Sequence, residues 1–424
     1  LYLIIYKNGQ FFFFFLKTSY VIATLDNGML GNLYYGAKIS EDNLLDFSLL
    51  RLISCGVPTE IGELSVSRET VPQEMSTFGR GDFRLAALCV SDEKGCRVNE
   101  LKYSSHKLYK GKPKITGMPS FDTCVSDVDT LEIELTDDVM GFKAVLYYSV
   151  FEKENIIARH TKISNCSQNV LKLNSAASIC IDFPSSEFEM TTLKGSWAKE
   201  RSVEKYPLHQ GICSIESRRG ASSHQLNPFA ALSAKNANES FGDVYGVSLV
   251  YSGDYKISAE TDHRGNVRVI AGINPETFCW TLKPGEELET PEAVITYSGE
   301  GFTGMSANFH NACRNHLGKC ADKTAKHPIV INSWEAMYFN FDSEKIKKFI
   351  TDCKGLGIDT VVIDDGWFGH RNCDDSSLGD WFVNEEKIRC GMKKLAEQIN
   401  DLGLKFGLWF EPESVNPDSD LYRA

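Results

Sequence analysis

One stretch, Ile358-Asp-Thr-Val-Val-Ile-Asp-Asp-Gly-Trp367, limits what this chain can fold into more than any other. The β-branched run Thr360–Ile363 reads as a strand buried on both faces. It stops at two carboxylates, Asp364 and Asp365, followed by Gly366 and Trp367. Neighbouring residues of a strand point to opposite faces. Both aspartates therefore reach one ligand only if the strand ends there and the backbone turns, which Gly366 permits. Two acceptors beside an indole suit a sugar: hydroxyls donate to the carboxylates and the apolar ring face stacks on the aromatic. On these residues alone, a strand-end loop whose aspartates cap a helix or sit in solvent remains the plain alternative.

The flanking segments repeat the pattern. Residues 327–332 form a second short apolar run, ending in Ser-Trp-Glu with Trp334 and Glu335. Residues 404–410 form a third, ending at Trp409, Phe410, Glu411, Pro412 and Glu413. Between them lie helical periods. After Ser343, an N-cap candidate, Ile346, Phe349, Ile350 and Cys353 recur at one-face spacing, stopped by Gly355 or Gly357. Met392, Leu395, Ala396, Ile399 and Leu402 do the same, closed by Gly403. The order is βαβαβ, with acid and tryptophan at each strand's C-terminal end, which is where a parallel α/β barrel keeps its active site. The connection over residues 366–389 is long enough to be functional. It carries His370, Asp374, Asp375, Asp380 and Trp381.

Four segments of this region, Ile331-Asn-Ser-Trp-Glu-Ala, Asp364-Asp-Gly-Trp-Phe-Gly, Ser377-Leu-Gly-Asp-Trp and Leu408-Trp-Phe-Glu-Pro-Glu, closely resemble the microbial α-galactosidases of glycoside hydrolase family 36. Upstream, Phe78-Gly-Arg-Gly-Asp-Phe-Arg, Gly195-Ser-Trp-Ala-Lys-Glu-Arg and Ser217-Arg-Arg-Gly-Ala-Ser-Ser-His-Gln-Leu-Asn-Pro-Phe resemble that family's β domain. The resemblance runs from about Ser19 onward, with several long motifs in the right order. It implies a multi-domain β plus α/β protein. Residues 1–300 are expected to form an antiparallel β-supersandwich, 301–326 a linker with a helix, and 327–424 the first, incomplete part of a (β/α)8 barrel.

The strand pattern agrees with that division. From Tyr20 to about Tyr297 the chain reads as strands and turns, with Leu131-Glu-Ile-Glu-Leu alternating cleanly. Residues 143–151, 170–181, 245–251 and 267–270 are further strands, and Asp26-Asn-Gly, Lys94-Gly and His263-Arg-Gly-Asn are turns. So many strands without helical periods point to a large antiparallel sandwich. Residues 301–317 read as one helix connecting the domains, and the polar residues 321–326 mark the boundary.

The apolar start, with five consecutive phenylalanines, invites a membrane reading. Lys7-Asn-Gly-Gln10 breaks the run, and neither half approaches the ~20 residues a span needs. Two strands around an Asn8-Gly9 turn are expected instead. A formal net charge of −12 argues against nucleic acid and anionic membranes as partners. Thirteen scattered cysteines without a Cys-x-x-Cys are neither a disulfide framework nor a zinc site. Buried free thiols in a reducing cytoplasm are the simplest account. No His-Glu-x-x-His spacing or Gly-rich phosphate loop is present, so neither a metal nor a cofactor is expected.

The resemblance carries roles to particular residues. Trp334, Asp364 and Asp365 are expected sugar contacts, with Trp409 beside them and Trp367 more plausibly packing. In the family the aspartate pair grips the galactose hydroxyls O4 and O6, and the axial O4 separates galactose from glucose. Loops of the family's β domain help build the sugar site of a neighbouring subunit, which makes Trp197 and Asp82 candidates in trans. For Asp82, beside Arg80, Phe83 and Arg84, the plain alternative is a structural ion pair. For Trp197 it is an inter-sheet plug. Glu411 and Glu413 share one strand end, so they fail as an acid/nucleophile pair, which must flank the scissile bond. The family's nucleophile sits in a Lys-Trp-Asp segment absent here, so it and the acid/base are expected beyond Ala424.

The implied activity is retaining hydrolysis of terminal α-galactosyl groups on melibiose- or raffinose-type oligosaccharides, by a homo-oligomer (tetramer or dimer) in full-length form. An α-N-acetylgalactosaminidase or galactosyl-transferring relative, a non-catalytic sugar-binding fragment, and a barrel enzyme using a metal at Asp364, Asp365 and Glu411 are the rivals.

Overall fold

A computed structural model describes residues 3–40, 67–123, 128–317 and 326–424. The chain divides into two compact units, Leu1–Cys320 and Ala321–Ala424. The polar boundary read at residues 321–326 lies almost wholly outside the described residues.

The described residues of the first unit form three antiparallel sheets. Ile4–Lys7, Gln10–Phe14, Thr18–Thr24 and Leu30–Ala37 form a four-stranded meander in chain order. A six-stranded sheet centres on the long strand Leu171–Phe183. A ten-stranded sheet runs from the edge strand Lys199–Pro207 to the opposite edge, Lys102–Lys110. Sequence periodicity explains the layering. Leu131, Ile133 and Leu135 are buried while Glu132 and Glu134 face outward. Every second residue of that strand thus enters one shared hydrophobic core.

The phenylalanine run has a structural account. Asn8 and Gly9 both take positive φ (51° and 79°), the geometry of a two-residue hairpin turn. Phe11, Phe13 and Phe15 then enter the main core, where Phe13 packs edge-on against Tyr20. Phe12 is buried on the other face and stacks near Phe14 at 5.9 Å. Both faces of this strand are covered, so no alternation appears in the sequence.

The helix read over residues 301–317 is an α-helix over Gly301–Ala312 followed by a π-turn over Cys313–Leu317. Met305 packs with Ala231, Ala237 and Val244, so this helix is part of the first unit rather than a free connector.

The second unit holds three parallel strands, Val330–Asn332, Thr360–Ile363 and Lys405–Leu408, in chain order. The helices Ser343–Cys353 and Met392–Asp401 connect them and bury Ile346, Ile350, Leu395 and Ile399 with Val361 and Ile363. Three readings shift. The first helix is capped by Asp342, not Ser343: Asp342 Oδ1 accepts from the Glu344 and Lys345 amides at 3.0 and 2.9 Å. The first strand begins only at Val330, after Pro328. Thr360–Ile363 is sealed on one face only, with Thr360 and Val362 half-buried on the other. Three strands cannot close on themselves, so the face that would line a barrel interior stays partly open.

One buried group makes stability depend on pH. His160 lies inside the ten-stranded sheet and stacks on Tyr147 at 4.3 Å, with 3° between the rings. Burial, with Lys112 and Lys162 adding, pushes its imidazole down to about 3. The unfolded chain binds this proton below about pH 6.5 and the folded chain does not, so stability falls as pH drops through that window. In urea titrations between about pH 6 and pH 4, the slope of unfolding free energy with pH is expected to be about 1.4 kcal/mol per unit smaller in His160→Gln. Equal slopes would remove His160 from the acid response.

Candidate functional site

The strand Thr360–Ile363 delivers Asp364 and Asp365 to the C-terminal end of the parallel sheet. Gly366 then turns the chain with φ +95°. A Cβ there would lie 3.1 Å from the Phe339 ring and 3.3 Å from Lys387 Nζ, so the positive φ favours glycine and a larger residue would press on both neighbours. The turn expected from sequence is present, and it leaves both aspartates nearly buried, Asp364 at 8% and Asp365 at 5% exposure.

The two carboxylates are held differently. Asp364 takes neutral donors. Asn332 Nδ2 donates to its Oδ2, and the Asp365 amide donates to its Oδ1 at 2.7 Å. The Asp364 amide donates to Ser333 Oγ at 3.0 Å. Asn332 also accepts from the Trp334 amide at 2.7 Å, so one side chain at the end of the first strand orients both Asp364 and Trp334. Asp365 is gripped by Arg371. Nε donates to Oδ1 and Oδ2 at 2.9 and 3.1 Å, and the guanidinium's second terminal nitrogen reaches Oδ2 at 2.8 Å. Burial works against the Arg371 charge, but the hydrogen bonds and charge of Asp365 outweigh it and raise its pKa.

Lys387 completes the cluster. Its Nζ donates to the carbonyls of Gly366 and Arg371 at 3.0 and 2.9 Å and sits 4.9 Å above the Phe341 ring. Burial lowers its pKa, and the Asp365 charge opposes that.

The tryptophans divide by burial. Trp334 opens a short helix, Trp334–Met337, half-buried and edge-on to Tyr338 and Phe339 at 5.0 and 5.1 Å. Trp409 is half-buried at the end of the third strand, with its amide donating to Ile363 O at 3.0 Å. Trp367 is core: it is buried, and its Nε1 donates to Trp409 O at 2.9 Å. The long connection packs inward too, with Trp381 against Phe368 and Phe410 at 4.4 and 5.2 Å. Trp334, Asp364, Asp365 and Trp409 thus share one end of one sheet.

In the first unit Trp197 and Asp82 have opposite environments. Trp197 is at the tip of the hairpin Phe188–Ser196/Lys199–Pro207 and is 90% exposed, so it plugs nothing. Asp82 is held by groups of its own unit. Its Oδ1 accepts from the Arg84 amide and Nε at 3.1 and 2.9 Å. Its Oδ2 accepts from Gln73, Arg84 and Arg268. Burial alone would raise its pKa, but Arg268 and Arg84 hold the carboxyl below its usual range. Both oxygens accept bonds from within the unit, which is the structural ion pair given above as the plain alternative. Phe83, next to it, is 86% exposed.

Arg371, Asn332, Ser333 and Lys387 were not singled out from sequence. Asn332 and Ser333 sat in a quoted motif without a role, and Arg371 stood as a lone cation before Asp374 and Asp375. Among the described residues, no three His, Cys, Asp or Glu side chains converge as a metal site would require. No described helix is long and apolar enough to cross a membrane.

Two family models match the chain, meeting within the first compact unit. Residues 28–283 match the model of the glycosyl hydrolase family 36 N-terminal domain, and residues 287–424 match the melibiase model. The chain is 44% identical to α-galactosidase AgaA of Geobacillus stearothermophilus, covering 96% of this chain and 56% of that protein. It is 38% identical to α-galactosidase Mel36A of Lactobacillus acidophilus, with the same coverages of 96% and 56%. The crystal structure of the α-galactosidase AgaB of G. stearothermophilus superposes with TM-score 0.94 at 42% identity, over 99% of this chain and 58% of that one. AgaA variants solved with raffinose and with stachyose superpose with TM-score 0.93 at 43% identity, over 98% of this chain and 58% of theirs. The chain therefore spans little more than half the length of the relatives it matches.

Proposed function

Since this chain belongs to glycosyl hydrolase family 36, we propose that its second unit supplies the galactose-gripping part of a retaining α-galactosidase acting on raffinose-type oligosaccharides. The observation that carries the reading is the Asp364–Asp365 pair at a parallel strand end, nearly buried yet retaining acceptor capacity, with Trp334 and Trp409 alongside. Each carboxylate oxygen can accept two hydrogen bonds, and both oxygens of Asp364 use one. A site that hydrogen-bonds a hydroxyl rejects an epimer that misplaces it, because its polar groups are then left unpaired. The structures of AgaA with raffinose and stachyose support the substrate class. Catalysis would follow double displacement: a carboxylate attacks the anomeric carbon while an acid protonates the leaving oxygen, and water then releases the sugar.

Asp364→Asn tests the reading in the enzyme carried to the length of its relatives. The substitution sets an amide where Asp364 accepts from both Asn332 and the Asp365 N–H, and weakens acceptance from the sugar. The expected loss in kcat/KM on an α-galactoside is about 1.5–3 kcal/mol, with KM raised and kcat lowered together. Unchanged kinetics in a folded variant would make Asp364 a structural residue.

The full protein is proposed to be a cytoplasmic homo-oligomer whose Trp197 serves a neighbouring subunit's site. The described cysteines are all free, which suits a reducing compartment, although Cys96, Cys166, Cys279, Cys313 and Cys373 are exposed rather than buried as expected. An indole on a protruding hairpin tip, 90% exposed, is expensive to leave in water and suits an interface. Mixing Trp197→Ala chains with Asp364→Asn chains is expected to recover activity above either parent, since hybrid assemblies rebuild one intact site. A mixture no better than its parents would place the contact within one chain or nowhere.

A further inference from the structure

We propose that Arg371 is a positioning residue that fixes how the aspartate pair divides its work, an inference that rests on the sugar-gripping reading above. The guanidinium is held through all three of its nitrogens. Beyond Asp365 it donates to the carbonyls of Asp374 and Ser376 at 2.6 and 3.0 Å and to Asn416 Oδ1 at 3.0 Å. The Arg371 carbonyl accepts from Lys387, and the Phe339 ring lies 5.5 Å below the guanidinium. The side chain is 5% exposed. A fork tied at both ends cannot turn, so the carboxylate it grips cannot turn either.

Two consequences follow for Asp365. The single Nε hydrogen is shared between Oδ1 at 2.9 Å and Oδ2 at 3.1 Å, and the terminal nitrogen donates to Oδ2 at 2.8 Å, so Oδ2 is the oxygen facing both donors of the fork and Oδ1 faces one. Asp365 therefore offers a sugar its clearest acceptor direction at Oδ1. The guanidinium also sets a positive charge 2.8 Å from Asp365, whereas Asp364 is met by neutral donors only. Asp364, bonded to an amide side chain and a backbone N–H, keeps one lone-pair direction on each oxygen and its negative charge. Asp364 thus acts as the anionic grip, and Asp365 as a cation-paired, single-hydroxyl gauge whose aim Arg371 sets.

The experiment is a cycle between side chain and substrate, run on the enzyme carried to its relatives' length. Arg371→Lys keeps the charge and loses the fork. It is assayed with p-nitrophenyl α-galactoside and with the analogues lacking the 2-, 3-, 4- or 6-hydroxyl. Arg371→Lys is expected to lower kcat/KM on the parent sugar by about 10- to 100-fold. The penalty for removing one particular hydroxyl should shrink at least about fivefold, while the other penalties stay within about twofold. A merely structural role would lower all rates and leave every penalty unchanged, and that result overturns the proposal. Arg371→Gln serves as the second variant, and failure of both to fold would likewise make Arg371 a residue of the fold alone. Failure of the unsubstituted enzyme to cleave the parent galactoside would instead sink the α-galactosidase reading itself.

Discussion

Purified as it stands, the 424-residue chain is expected to give no turnover of a chromogenic α-galactoside above the buffer rate. The described residues of the second unit form three parallel strands, where a closed barrel has eight. Double displacement needs two carboxyl groups about 5–5.5 Å apart on opposite sides of the scissile bond. Asp364 and Asp365 are consecutive, linked by the 2.7 Å bond from one's amide to the other's carboxylate, and approach from one wall. Asp365 is further tied by Arg371 and cannot become a nucleophile without leaving a buried guanidinium unpaired. Glu411 and Glu413 both follow the third strand and share its wall. The arrangement can bind hydroxyls without breaking a glycosidic bond. Measured turnover would reassign catalysis to these strand-end carboxylates, with Glu411 and Glu413 the first to be substituted.

The second large effect concerns stability. Arg268 is 1% exposed and joins three strand or loop segments of the first unit. Its Nε donates to Asp182 Oδ1 at 2.7 Å, and its terminal nitrogens reach Asp182 Oδ2 at 2.7 Å, Asp82 Oδ2 at 3.0 Å and Leu85 O at 3.0 Å. Arg268→Met removes the main counter-charge from two buried carboxylates. Arg84 remains, but it stands 3.4 Å from Asp182. Removing one partner of a buried ion network costs about 3–5 kcal/mol because the other charge stays buried. Urea unfolding of the Arg268→Met chain is expected to show a loss of that order, with release of the loop carrying Phe83. A loss under about 1 kcal/mol would mean that water or Arg84 takes over the pairing.

How legible the site was depended on what each residue's role rests on. Asp364, Asp365 and Gly366 were readable because a strand end, a turn and acceptor chemistry are all local properties. Trp367 was set apart from Trp334 and Trp409 by the family resemblance, and its burial and its bond to Trp409 O agree with a packing role. For Asp82 the neighbour Arg84 is visible in the sequence, yet Arg268, which also reaches its second oxygen, is remote along the chain. Arg371 was missed for a related reason: an arginine six residues after an aspartate faces it only if the loop folds back, and Lys387 with Asn416 makes it do so.

The fold itself shows the same boundary. Alternation at Leu131-Glu-Ile-Glu-Leu, the Asn8-Gly9 turn and the βαβαβ order are determined by neighbours in the chain, because side-chain period and backbone sterics act over a few residues. Which strands share a sheet is not. Leu171–Phe183 pairs with Leu88–Ser91, Val267–Ile273 and Trp280–Leu282, choices made by burial and hydrogen bonding among distant segments. The sequence alone determined that two carboxylates would stand together at a strand end. Only the tertiary structure decided that one of them is paired with and aimed by an arginine while the other meets neutral donors, because charge pairing in a low-dielectric interior depends on which distant groups packing brings within about 3 Å.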